Sequence, residues 1–269
     1  MYAACSVALV FLIAASPAQA QLQPRPISEP PTGEQYHIEG AAGFWFPAAT
    51  IAAASEGLGI QGTTIDFKTD LGLQDQNFPD LRLVLSPSRR HKFRFEFIPI
   101  KYTQSATVRR RIVFNGIAYN IGLPVKSELE WRAYRIAYEF DFISNNRGFA
   151  GFVVEAKYTD VQILLDATPV AREFARARAP IPAIGGIGRV YVVPNISITG
   201  EFTGFKLPQD LVKNTHAHYA DFDLYGTVNF TNNIGAQVGY RSLDVGYIAD
   251  TDVGTFKLKG IYFGVVARY

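Results

Sequence analysis

Asp252-Val-Gly-Thr-Phe-Lys-Leu-Lys-Gly-Ile-Tyr-Phe-Gly-Val-Val-Ala-Arg-Tyr269 closes the chain, and its last ten residues decide the fold. Counting back from Tyr269, every second residue is apolar: Ala267, Val265, Phe263 and Ile261. Between them stand Arg268, Val266, Gly264, Tyr262 and Gly260. A period of two is that of a β-strand, whose side chains point alternately to opposite faces. One face here is greasy, and the other carries a charge, a phenol and two glycines. Such a strand suits lipid on one side and a wetter interior on the other.

Composition agrees. The 269 residues are 48% hydrophobic and 13% aromatic, with mean hydropathy +0.05. Yet after residue 20 no run approaches the roughly 18 apolar residues that a spanning helix needs, so the hydrophobicity is spread through alternating segments. The length suits one large all-β domain. The net charge of +2, from 26 basic and 24 acidic residues, gives no electrostatic case for a nucleic-acid partner.

Residues 1–20 have an apolar centre, Val7 to Ala15, and end in Ala18-Gln19-Ala20. That is the pattern of a cleaved signal peptide, although no basic residue precedes the apolar run. The only cysteine, Cys5, falls inside it, so the mature chain is expected to have no disulfide, no thiolate metal site and no cysteine nucleophile. Residues 21–35 hold four prolines and read as an extended tail.

From residue 36 to 269 strand-like segments alternate with two kinds of connection. Short turn signals fall at 86–90, 144–148, 193–195 and 231–233; longer connections fall at 48–77, around Asn115-Gly116, at 168–179 and at 206–217, with a tight one near Asp250. The strands drawn from this pattern are 36–47, 78–86, 91–114, 117–143, 149–166, 183–193, 196–206, 218–230, 234–248 and 253–269. The fold class is therefore all-β: a transmembrane antiparallel up-and-down β-barrel of ten strands, with eight and twelve as the neighbouring even counts. The chain resembles bacterial outer-membrane β-barrels. In these a terminal aromatic after alternating apolar positions is the signal read by the barrel-insertion machinery, which assigns that role to Ile261, Phe263, Val265, Ala267 and Tyr269. The resemblance implies short turns and both termini in the periplasm, long loops outside, and outer-membrane lipid and lipopolysaccharide as partners. Phe44, Trp45, Phe46, Tyr138, Tyr240 and Tyr262 would mark the interfacial aromatic girdles.

Two segments exceed the roughly 9–11 residues that cross a bilayer. Asn115-Gly116, a strong hairpin signal, joins them, so they are expected to continue as a β-ribbon above the membrane. In the second of them the apolar phase flips, from Phe142, Phe140, Tyr138, Ile136 and Tyr134 to Ala133, Trp131 and Leu129. A β-bulge would produce such a flip. On the ribbon, Arg109-Arg110-Arg111 is either a solvated face or a contact for lipopolysaccharide phosphates, which guanidinium groups bind well.

The same alternation sends charges inward. Arg82, Arg94, Arg135, Lys157, Arg241 and Arg268 would face Glu96, Glu139, Asp141, Glu155, Glu201, Asp221 and Asp223 across a narrow lumen. These groups either neutralise one another as a plug or line a narrow channel for small polar solutes. Catalytic signals are sparse: the sequence has no G-x-S-x-G elbow, no H-E-x-x-H motif and no cofactor motif. The best cluster is His216-Ala217-His218 with Asp221 and Asp223, which would place two imidazoles above two inward carboxylates at the outer rim. Outer-membrane proteases of the omptin type resemble the chain in strand count, but none of their motif segments is matched. The His-x-Ser of outer-membrane lipid A deacylases and phospholipases is absent too. The sequence therefore points to a barrel with a structural or surface-interaction role, with a small-solute channel and an outer-rim hydrolase as alternatives. It gives no metal site and no oligomeric state.

Overall fold

The computed structural model describes residues 30–56, 59–169, 171–208, 215–249 and 252–269. The signal-peptide segment 1–20 lies outside them. No helix among the described residues is long and apolar enough to cross a membrane. The strands are β1 (Ile38–Ala54), β2 (Ile65–Asp66), β3 (Phe78–Ser88), β4 (His91–Thr107), β5 (Ile112–Phe114), β6 (Ile117–Tyr119), β7 (Pro124–Asn145), β8 (Gly148–Ala167), β9 (Ala171–Val193), β10 (Ile196–Lys206), β11 (Thr215–Asn229), β12 (Ile234–Ala249) and β13 (Asp252–Arg268).

Ten of them close a ring of antiparallel neighbours, β1-β3-β4-β7-β8-β9-β10-β11-β12-β13, and β13 returns to β1. The closing strand pairs along its whole length, from Glu39↔Arg268 to Ala54↔Val253. Closure removes the unpaired edges that an open sheet would present. Its apolar face points outward as the alternation requires: Ile261, Phe263 and Val265 are exposed, and so are Phe44 and Phe46 on β1, Phe152 and Val154 on β8, and Phe222 and Leu224 on β11. Side chains on this band pack against each other across strands, as in the stacked Phe97–Tyr134 pair, whose ring centres are 4.9 Å apart.

Tight turns gather at one end of the ring, at 88–91, 145–148, 193–196 and 229–234. The last residues of the proline-rich segment stopper this end. Thr32 donates its N–H to the Pro194 carbonyl, Asn229 donates to the Thr32 carbonyl, and Tyr36 is buried beneath Arg268.

The other end departs from the expected ribbon. β4 and β7 are indeed long, 17 and 22 residues, and pair to Thr107↔Pro124. Beyond that the chain does not rise further. It folds back as the separate hairpin β5–β6, turned at Asn115 (φ 49°) and Gly116 (φ 80°), the paired positive φ angles that an Asn-Gly hairpin turn uses. The hairpin lies across the mouth: the Asn115 N–H reaches the Ser55 carbonyl, Asn115 Nδ2 reaches Glu173, and Tyr119 Oη reaches the Leu165 carbonyl.

The expected bulge near Ala133 is absent too. β7 runs in unbroken register with β4, and its irregularity lies at Asp141/Ile143 instead. The phase flip has another cause. Leu129, Trp131 and Ala133 stay on the inner face of the wall with Arg135, Ala137 and Glu139, so it is the interior that changes, from charged near the tight turns to apolar near the mouth. The expected loop 168–179 is likewise mostly strand, because β9 begins at Ala171 and pairs with β8 from there. Trp45 and Tyr262, expected in an outer girdle, face inward and are buried.

Candidate functional site: the charged lumen and the outer mouth

All thirteen lumen charges drawn from the alternation come together in the lower interior, and they bridge strands that are far apart around the ring. Arg82 on β3 donates to Asp80 at 2.7 Å and, across the bore, to Asp223 on β11 at 2.7 Å. Tyr262 on β13 donates to the same Asp223 at 2.9 Å. Arg94 on β4 holds Glu139 on β7 and lies 3.6 Å from Glu201 on β10. Arg135 on β7 binds Glu155 and Glu201 and lies 3.6 Å from Glu96. Lys157 on β8 reaches Asp221 on β11 at 2.6 Å. Arg241 on β12 holds that same Asp221 at 2.6 Å and joins it to Glu96. Arg268 on β13 bonds Glu39 on β1 at 2.6 Å, so an ion pair crosses the closing seam.

The structure adds members that the sequence reading passed over. Lys92 donates to both Glu139 and Asp141 at 2.7 Å. Arg189 pairs with Glu34 of the stopper at 3.2 Å, and Tyr191 donates to that carboxylate at 2.6 Å. Both cations lie on inward positions of strands already drawn, so parity alone would have found them.

A buried charge is tolerated when it is paired and its remaining hydrogen-bonding capacity is met. Here each guanidinium faces two carboxylates or more, or a carboxylate and a neutral acceptor, although Arg189 Nη2, Arg268 Nη2 and Asp141 Oδ1 have no partner. The network leaves almost no space. The void beside Arg82, Arg94, Glu96, Arg135 and Glu201 is about 20 Å³, close to the one-water minimum of roughly 10–15 Å³. A ten-stranded ring is only slightly wider than the eight-stranded size that side chains can fill, and these long side chains fill it.

The rim cluster does not assemble. His216 and His218 lie on outward positions of β11, whereas Asp221 and Asp223 lie on inward ones. The structure turns His218 to Asp244 on the outer surface, at 3.3 Å, while the two aspartates are held by Lys157, Arg241 and Arg82. One residue of register separates the faces, and the wall stands between imidazole and carboxylate. Among the described residues no group of three or more His, Cys, Asp or Glu could hold a metal ion.

In the arginine run, Arg110 is committed. It clamps Asp70 through two nitrogens, at 2.7 and 2.6 Å, and donates to the Thr64 carbonyl. Arg109 reaches the Thr69 carbonyl, and Arg111 is exposed. The hydrogen bond from Arg110 holds the Asp70 carboxyl below its ordinary value. Asp66 and Asp70 organise their own loop, for Asp66 accepts from the Lys68 and Thr69 N–H groups and Asp70 from the Asp66 N–H. The loop thereby lays Phe67, Leu71 and Leu73 into the upper core beside Ile112 and Phe114 of the hairpin.

No protein-family model matches the chain, and no curated protein matches it by sequence. Solved structures do match. The outer membrane protease OmpT from Escherichia coli aligns over 86% of this chain and 96% of its own, at 7% identity and TM-score 0.55. A Pseudomonas aeruginosa FadL homologue aligns over 93% and 95% at 10% identity and TM-score 0.39, and the attachment invasion locus protein Ail of Yersinia pestis over 86% and 99% at 9% and 0.35. The likeness to OmpT is one of fold: the chain is a closed ten-stranded antiparallel barrel.

Proposed function

We propose that the protein is an integral outer-membrane barrel with a closed bore, a stable anchor whose work is done at the loop-bearing end and not by passing solutes through the wall. The observation that carries this is the lower interior, where paired charges from all ten wall strands and the N-terminal stopper leave a void of about 20 Å³ beside Arg82 and Arg135. Ions crossing a bilayer need a continuous aqueous path, and here that path is occupied by side chains that hold each other. The exposed apolar band favours a lipid surround, and the tight turns favour a periplasmic position for that end and for both termini. In this reading the outward row Ile261, Phe263, Val265, Ala267 and Tyr269 meets the insertion machinery before it meets lipid.

Reconstitution into a planar bilayer tests the closed bore. With insertion verified by a shift in migration between unheated and boiled detergent gels, the expected result is no current steps. Reproducible, ion-selective steps would overturn the closed bore and favour a narrow channel lined by the same residues.

A further inference from the structure

Above the charged network the interior is mostly apolar and not filled, with Arg176, His218 and Asp252 at its edge. A cavity of about 500 Å³ lies between the hairpin and the ion pairs, against about 20 Å³ in the void beside Arg82 and Arg135. Its walls are inward residues from much of the ring, including Leu129, Trp131, Val161, Ile181, Phe205 and Phe256. Phe114 of the hairpin roofs it, and Tyr219, whose hydroxyl bonds Asp221, floors it. Cavities of roughly 300–1,000 Å³ with mostly apolar walls and a few polar groups are the size and chemistry of small-ligand sites.

Two further observations define what fits. Trp131 is buried against Phe256, ring centres 4.3 Å apart, and its indole N–H has no acceptor. A buried N–H normally finds one. Among the described residues the wall is also open beside the cavity. β9 and β10 pair only as far as Ile184↔Gly204, while β9 continues to Ala171 with β8 alone; no described residue pairs with that stretch on its other side. Pro180 and Pro182 lie in it. Proline cannot donate to a ladder and is confined to strands with an unpaired side, so the break is written into the sequence. It starts at Ile184, level with outward Val154 inside the apolar band, and runs up past outward Tyr158, which pairs with Pro180.

We infer that the upper interior is a binding chamber for an acyl chain whose carbonyl or carboxyl oxygen accepts the Trp131 N–H, reached sideways through the break between β9 and β10. A free fatty acid and a membrane lipid share that chemistry. The chamber goes beyond the closed-bore reading and is tested separately from it, since current reports on the lower network and the following measurement on the upper cavity.

Trp45 and Trp131 are the two tryptophans, so Trp45→Phe leaves Trp131 as the reporter. The variant would be refolded into phosphatidylcholine vesicles, with folding checked by gel migration. One arm adds dibrominated stearic acid to ordinary vesicles; the other uses vesicles of brominated phosphatidylcholine. The expected result is saturable loss of Trp131 emission, reversed by excess stearic acid and not by butyrate. Quenching by the free acid alone identifies a free fatty acid, and quenching by the brominated lipid identifies a membrane chain. Ala175→Phe and Ala217→Phe, which fill the chamber, should abolish the loss. Should they not fold, stearic acid competition in the parent variant decides. Should Trp45→Phe itself fold poorly, the wild-type chain read against Trp131→Phe gives the same difference. Emission that neither probe quenches saturably, or quenching unchanged in folded filled variants, would overturn the chamber.

Discussion

Arg241 shows what a single buried charge does in this protein. It lies between Glu96 on β4 and Asp221 on β11, so three strands meet at one guanidinium. Replacing it with methionine keeps much of the volume and strands two carboxylates. Removing one partner of a buried pair costs about 3–5 kcal/mol, and the urea midpoint of Arg241→Met should fall accordingly. Adding Glu96→Gln and Asp221→Asn to that variant should restore part of the loss, because the neutral amides remove the uncompensated charge. A second residue-scale test concerns pH. The Arg110 hydrogen bond lowers the Asp70 carboxyl below its ordinary value near 3.9. A depressed carboxyl contributes stability above the unfolded value and loses it as pH falls through the folded one. Amide-exchange protection across 65–73 should therefore be constant from pH 8 to 5 and should weaken below about pH 4; Asp70→Asn should show the weakened level throughout. The inward charges were legible residue by residue, because alternation fixes which face each occupies. His218 was not, because a His-x-His pair near two aspartates looks like a cluster until parity puts the imidazoles on the far side of the wall.

Among the elements, the hairpin β5–β6 is the most conditional. Gly116 sits at φ 80°, a region that costs a side-chain-bearing residue roughly 1–2 kcal/mol. Gly116→Val should loosen the hairpin and admit protease within 108–123, while the gel migration of the folded barrel stays unchanged. Loss of that migration shift would mean that the hairpin supports the ring as well as covering it. The sequence announced this turn and misjudged where it goes. It also misjudged the upper halves of β7 and β9, and for one reason. A membrane strand is recognised by an apolar outer face, yet above the lipid the outside is water and the inside is apolar, so the faces exchange roles. In Ala171-Arg-Glu-Phe-Ala-Arg-Ala-Arg the arginines Arg172, Arg176 and Arg178 share the outer face with exposed Phe174 and pair with Asp160 and Asp166, while Glu173 and Ala175 take alternate positions. Read by the membrane rule this stretch is a loop; read with the faces exchanged it is a strand.

At the scale of the whole molecule, two surfaces of opposite character share one wall. Val154 is exposed on the outer band and pairs with Tyr138 and Ile184. Val154→Arg should cost about 2–4 kcal/mol in a bilayer if this level is near its midplane; a detergent micelle, able to reshape around the charge, should show a smaller loss in the same urea titration. Strand count, closure and the direction of each face were readable in advance because they follow from a period of two and from turn chemistry. What fills the interior was not, because charge pairing and chamber volume depend on residues brought together across the ring.

The two ends of the barrel-forming segment are joined at the seam. Tyr269 donates its N–H to the Ile38 carbonyl and accepts from the N–H groups of His37 and Ile38. The ring therefore has no structural beginning, and the break in its covalent circle could be moved. A circular permutant that links residue 269 to residue 36 and opens at the 145–148 turn would retain the strand neighbours and the ion pairs between strands, losing the Glu34 contacts to Arg189 and Tyr191. It would, however, place the aromatic terminus in mid-chain. If such a permutant refolds into lipid in vitro but fails to reach the outer membrane in cells, what makes the barrel stable and what gets it delivered would be shown to be separable properties of one strand.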